Sequence, residues 1–306
     1  MLKLFHKLFL IYLCQLNIYL ISANTNNTHG NFIIKEKVNN GDPISIANAP
    51  WQVSIRLKAL EEKSFGNGQL CGGAIISQRV IITSGQCVVK PNVTPRDYYL
   101  GKELLIVMGS SYLYDKTMHT QSYDVMKVVA TPGFELALLF INGDIPKEST
   151  VIMPIQFSKV EQKTGTKCNL TTWTRSTNNI TTLSSVLAVT KMRLENNAFC
   201  STYYANSTAN TFCAESLYGP GATCQADIGA PLVCNGTLVG ITNWNAICNK
   251  NDGYPTIFTN ISNYYAWIVH ANSTLDYTQY RNAALGFLNS YNLLCITVAL
   301  IFLFVS

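Results

Sequence analysis

Nine short runs rich in β-branched and aliphatic residues dominate the middle of the chain: WQVSIRL, GGAIIS, RVIITS, ELLIVMG, DVMKVV, ELALLFI, LSSVLAVTKM, TLVGITNW and PTIFTNI. Turn-forming residues separate them, and no long helical pattern alternates with them. Strands in this arrangement, spread over roughly 230 residues, indicate an all-β sandwich or a pair of barrels. One helix is expected, from Asn263 to His270 with Ser262 as its N-cap, and it closes the domain. The chain shows no fixed-period repeat and no low-complexity linker.

The two ends read differently. Lys3 and Lys7 precede an apolar run from Leu8 to Ile21 that leads into Ser22-Ala23-Asn24, the layout of a secretory leader cut after Ala23. An N-terminal membrane anchor is the alternative, although the run is marginal for crossing roughly 30 Å of hydrocarbon. At the other end, Arg281-Asn282-Ala283-Ala284 is followed by LGFLNSYN and then by LLCITVALIFLFVS. Small residues, a spacer and a terminal apolar run resemble the signal for a glycosylphosphatidylinositol anchor attached near Asn282. A short C-terminal transmembrane helix and a simple hydrophobic extension are the alternatives. No Lys or Arg follows the run, as a stop-transfer helix would ordinarily carry.

With 48% hydrophobic and 13% charged residues, the chain has enough apolar material for a large core, and disorder is excluded. Its net charge of +5 falls further once the two leader lysines are removed. A balance this mild excludes the concentrated basic face of a nucleic-acid binder. Cys14 lies in the leader and Cys295 in the tail, so an even set remains: Cys71, Cys87, Cys168, Cys200, Cys213, Cys224, Cys234 and Cys248. In an oxidising compartment these imply four bridges, and spacing alone leaves every pairing open. Zinc ligand spacing is absent, and no cofactor or metal is expected. Asn-X-Ser/Thr sequons at Asn26, Asn92, Asn169, Asn179, Asn206, Asn235, Asn260 and Asn272 agree with a secretory route.

Several ordered segments resemble the trypsin-like (chymotrypsin-fold) serine proteases. Lys37-Val38-Asn39-Asn40-Gly41 with Ala49-Pro50-Trp51-Gln52-Val53-Ser54-Ile55 is similar to the activation site and first strand of that family. Cys71-Gly72-Gly73-Ala74 and Thr83-Ser84-Gly85-Gln86-Cys87 resemble the segment bearing the catalytic His. Glu135-Leu136-Ala137-Leu138-Leu139 resembles the strand opened by the catalytic Asp, and Cys224-Gln225-Ala226-Asp227-Ile228-Gly229-Ala230-Pro231 the nucleophile segment. The resemblance implies two six-stranded antiparallel β-barrels with a C-terminal helix. Together with the two terminal signals, it divides the chain into a leader (1–23), a pro-segment (24–37), the homology domain (38–272) and a C-terminal extension (273–306). It also implies the bridges Cys71–Cys87, Cys168–Cys234, Cys200–Cys213 and Cys224–Cys248.

The family's chemistry needs a hydroxyl nucleophile, an imidazole to take its proton and a carboxylate to orient the imidazole. Here Gln86 stands at the His position, and a carboxamide has no useful basicity near neutral pH. Ile228 stands at the Ser position and offers no heteroatom to attack a carbonyl. Glu135 replaces the Asp with no imidazole to orient. Ala226 replaces a Gly of the oxyanion hole, where a Cβ restricts close approach. Ala222 occupies the base of the specificity pocket where trypsins carry Asp, and Asn245 and Thr256 align with glycines of its walls. Either a repurposed cleft or drift after loss of catalysis accounts for these pocket changes.

His29, His119 and His270 are read as ordinary histidines rather than relocated bases, and the region from Met108 to Ser122 offers only Asp115 to calcium. Asp227, which in the family receives the amine freed by cleavage before Val38, is retained. Cleavage at Lys37-Val38 and an uncleaved, zymogen-like form are both open. The expected function is therefore that of an inactive homologue, secreted or tethered to the outer cell surface. It would bind extracellular proteases, inhibitors or protease substrates as a cofactor, scaffold or decoy. An unorthodox peptidase and an adhesion or receptor-ligand module are the alternatives.

Overall fold

The computed structural model describes residues 41–91, 93, 97–173, 184–204, 210–218, 228–244 and 254–274. Six antiparallel strands close the first barrel: β2 (Gln52–Leu57), β3 (Gln69–Ile75), β4 (Val80–Thr83), β5 (Leu104–Met108), β6 (Gln121–Ala130) and β7 (Ala137–Ile141). Their order around the ring is β2-β3-β4-β7-β6-β5. The second barrel comprises β8 (Lys167–Thr172), β9 (Ala188–Leu194), β10 (Thr211–Ser216), β11 (Pro231–Cys234), β12 (Thr237–Trp244) and β13 (Thr256–Asn260). It closes through the pairing of β8 with β9, and the two-residue β1 (Asp42–Pro43) is added outside on β9. Closing each sheet leaves no long unpaired edge.

Side-chain alternation explains the second barrel. In β9, Ala188, Thr190, Met192 and Leu194 are buried while Lys191 and Arg193 face solvent, the period of two that a one-sided strand requires. β7 breaks this rule because both of its faces are covered. Ala137, Leu139 and Ile141 fill the first barrel, whereas Leu138 and Phe140 pack with Val233, Leu238 and Ile241 of the second barrel and Ile268 of the closing helix. The unbroken apolar run at 136–141 is thus the seam between the barrels.

Three short helices complete the described chain: α1 (Lys58–Glu61), α2 (Asn197–Tyr203) and α3 (Tyr265–Thr274). The closing helix is displaced from its expected span and does not use Ser262 as its cap. A 3-10 turn over Ile261–Tyr264 precedes it, and Asn260, still extended at the end of β13, caps that turn by accepting from Ser262 N at 3.2 Å. α2 was not expected from the sequence. Asn196 caps it by accepting from Phe199 N at 2.8 Å, and the Cys200–Cys213 bridge ties it to β10. Cys71–Cys87 and Cys168–Cys234 are also bonded. Cys224 and Cys248 lie outside the described residues.

At the C-terminal end of α2, Tyr204 is 9% exposed and donates its hydroxyl to the Pro255 carbonyl at 2.6 Å. Burial, and next the neighbouring Tyr254, push its phenol up to about 12. A proton held more tightly in the folded state than at the ordinary value near 10 contributes stability that is complete below pH 10. That contribution fades as pH rises towards 12. Tyr204 is therefore expected to account for a loss of up to about 3 kcal/mol across this window, at about 1.4 kcal/mol per unit, beside the Tyr218 phenol, which its hydrogen bond to Asp42 also pushes up to about 12. Urea unfolding at stepped pH measures the loss, and Tyr204→Phe should flatten the dependence; an equally steep profile in that variant refutes the assignment.

Candidate functional site

Ser84 opens the turn that carries Gln86. Its side chain accepts from Gln86 N at 3.2 Å, while its own hydroxyl donates to Asn243 Oδ1 of β12 at 3.1 Å. The residue before Gln86 must be glycine, because a Cβ there would overlap the backbone of Phe134. The residue after it, Cys87, faces the backbone of Gly229, where an added Cβ would also overlap Thr83 Oγ1 and the Gly72 carbonyl. Gly229 has φ +81°, a conformation in which glycine alone is unstrained. Gly72 N donates to the Ile228 carbonyl at 3.0 Å. Gln86 is thereby bracketed by the segment preceding Glu135 on one side and the segment following Ile228 on the other, at the seam of the barrels.

The three side chains face different surroundings. Gln86 is exposed, and among the described residues its carboxamide has no hydrogen-bond partner. Ile228 is half-buried and packs against the core of the first barrel, in the cluster that holds Cys71 and Cys87. Glu135 is half-buried and accepts from Thr131 Oγ1 at 2.7 Å; Thr131 Oγ1 in turn accepts from Glu135 N at 3.0 Å. Burial foremost, and then the negative charge of Glu135, raise the Tyr264 phenol above its ordinary value. The second barrel holds the Glu135 main chain too, through Thr259 Oγ1 donating to its carbonyl at 3.2 Å. The carboxylate is thus hydrogen-bonded by Thr131 and lies near enough to Tyr264 to shift its phenol, and Gln86 is not among its hydrogen-bond partners.

Sequence reasoning missed Thr131, Tyr264, Asn243 and Phe134. Phe134 has φ +58°, unusual for an aromatic residue, and its ring stacks on Tyr98 with centroids 5.0 Å apart and planes 5° from parallel. No spacing signal links these residues, since the fold alone brings them beside 86 and 135. Of the expected specificity-pocket positions, Thr256 is buried at the start of β13. Ala222, Asn245, Asp227, Lys37, Val38 and Asn282 lie outside the described residues, as do the sequons at Asn26, Asn92, Asn179 and Asn206. Among the remaining sequons, Asn169 and Asn235 are exposed, Asn272 is half-buried, and Asn260 is 5% exposed with its carboxamide engaged as a cap. Asn260 is thus the one of these four whose asparagine is buried.

Chemically, this constellation offers one carboxylate, one carboxamide and one hydrocarbon. Among the described residues no group of three or more His, Cys, Asp or Glu side chains is placed to hold a metal, and no helix is long and apolar enough to cross a membrane.

The family model described as Trypsin matches residues 38–268. Cationic trypsin-3 of Rattus norvegicus is 25% identical over 241 residues, covering 76% of this chain and 88% of that protein. Kallikrein-7 of Homo sapiens is 25% identical over 241 residues, covering 76% and 86% respectively. In structure, the chain is similar to neuropsin, a serine protease expressed in the limbic system of mouse brain, with a TM-score of 0.63 at 22% identity, covering 76% of this chain and 98% of that one.

Proposed function

Since the chain belongs to the trypsin family, we propose that it is a non-catalytic serine protease homologue that acts by binding extracellular proteins. Proteases, their inhibitors or their substrates are the partners that suit a protease scaffold used as cofactor or decoy. The observation that carries this reading is the pair Gln86 and Ile228: at the seam where the family does its chemistry, one side chain cannot take a proton and the other is committed to the apolar core. Loss of Ser or His alone in such a unit costs on the order of 10⁶ in turnover. Loops on rigid barrels can vary without unfolding the scaffold, so recognition can outlast catalysis.

Under this reading residues 1–23 are removed on secretion and Asn282 receives a lipid anchor at the outer cell surface. Release from intact cells by an inositol-specific phospholipase is the matching observation. Retention after treatment favours a spanning tail.

The decisive experiment is labelling of the purified, secreted protein with a fluorophosphonate probe, together with hydrolysis of a peptide-substrate library. Neither labelling nor turnover is expected. Turnover that disappears on substitution of a single residue of this chain refutes the proposal.

A further inference from the structure

The sequons at Asn169 and Asn235 each directly follow one half of the same disulfide, Cys168–Cys234. We propose that Asn169 and Asn235 carry N-linked glycans as a pair fixed by that bridge, and that Asn260, whose sequon is equally complete, carries none. This deepens the secretory reading above and rests on it.

Three structural observations support the pairing. In β8, Cys168 and Leu170 point into the barrel while Asn169 between them faces solvent, so the strand's own alternation presents the carboxamide outward. Asn235 and Gly236 form the exposed turn between β11 and β12 with φ +51° and +75°, the left-handed pair that favours Asn-Gly in a tight hairpin. A modification at that tip displaces no core residue. The bridged Cα atoms are 4.3 Å apart. One Cα step of 3.8 Å on either side then keeps Asn169 and Asn235 within about 12 Å of each other. Two glycans rooted that closely cover the β8–β11 face of the second barrel and leave partner recognition to other faces.

Asn260 is built differently. Its Oδ1 accepts from Ser262 N at 3.2 Å and from Ser262 Oγ at 2.8 Å, so the Asn and the hydroxyl residue of the sequon are folded onto each other. It borders a cavity of about 260 Å³ and is 5% exposed, so a sugar rooted there would have to displace the packing around the closing turn. At Asn169 and Asn235 the transfer needs a lipid-pyrophosphate-linked oligosaccharide. The Asn Nδ2 forms a bond to the anomeric carbon of the first sugar and loses one proton, the bond from that carbon to the pyrophosphate oxygen breaks, and the lipid pyrophosphate departs.

The test uses the full chain secreted from a eukaryotic cell, stripped by an amide-cleaving glycosidase in heavy-oxygen water and mapped by peptide mass spectrometry. Heavy-oxygen Asp is expected at positions 169 and 235, with Asn260 unchanged. Asn169→Gln and Asn235→Gln should each lower the mass of the intact protein by one glycan, and the double variant by two. An unmodified Asn169 or Asn235 beside occupied sequons elsewhere in the same sample overturns the pairing and leaves the secretory reading standing. A modified Asn260 overturns the exclusion. If no sequon anywhere in the chain is modified, the secretory reading falls, and the pairing with it.

Discussion

The double substitution Gln86→His with Ile228→Ser is expected to react covalently with a fluorophosphonate, while each single substitution stays inert. A hydroxyl at 228 without an imidazole remains a neutral alcohol, and an imidazole at 86 without a hydroxyl has no proton to take. Such groups act as a unit, so the gain is not divided between them. Gly85 lies against Phe134 and Cys87 against Gly229, so the double variant tests whether side chains at 86 and 228 meet. Turnover should still fall about 10⁴-fold short of an intact triad, because the carboxylate of Glu135 is held by Thr131 rather than turned to the imidazole. Labelling of Ile228→Ser alone would mean that another base serves the site. An inert double variant with a native urea midpoint would mean that positions 86 and 228 do not meet or that Ala226 has closed the oxyanion hole, and adding Ala226→Gly separates the two.

What the sequence made legible, and what it did not, separates along physical lines. Gln86 and Ile228 could be read because they interrupt contiguous segments whose remaining residues are fixed by close backbone packing: Gly85 against Phe134, Gly72 against Ala230, and Gly229 against Thr83. Alternation in β9 was legible for the same local reason, whereas β8, β10 and β11 were not among the nine runs because cysteines and threonines break their apolar pattern. β7 reads as an unbroken apolar run whose partners no local pattern reveals, since its second face is buried by residues about 100 positions later. The placing of Glu135 beside Thr131 and Tyr264 was hidden similarly, because barrel closure alone brings 264 beside 135. Asn260 shows a motif that satisfies two rules at once. As Asn-Ile-Ser it is a sequon, and as the last residue of β13 it is a buried cap, a role that no sequon pattern reveals.

Glu61→Ala is expected to destabilise the domain by about 3 to 5 kcal/mol, the range for leaving one member of a buried ion pair alone. The side chains of Arg56 and Glu61 are 1% and 6% exposed, with Arg56 NH1 2.5 Å from Glu61 Oε1. Burial lowers the Arg56 pKa, and Glu61 opposes that effect by favouring the charged guanidinium. Its other two nitrogens also donate: Nε to Ser54 Oγ at 2.7 Å and NH2 to the Leu113 carbonyl at 2.9 Å, while its face lies 4.4 Å from the Phe65 ring centroid. Glu61 in turn accepts from Gly66 N at 2.9 Å and Gly68 N at 3.2 Å, holding the loop between β2 and β3 in place. These backbone bonds set this pair apart from an isolated one. Replacing a buried pair with apolar residues is often neutral. Here Arg56→Met with Glu61→Leu would strand two glycine amides, each costing about 1 to 3 kcal/mol, so the double variant should remain clearly less stable than the parent. Glu61→Gln keeps an acceptor for those amides but leaves the guanidinium unpaired, and should fall between the parent and Glu61→Ala. Urea midpoints at unchanged slope give the ranking. A double variant as stable as the parent would show that the two charges alone, and not the loop they organise, account for the network.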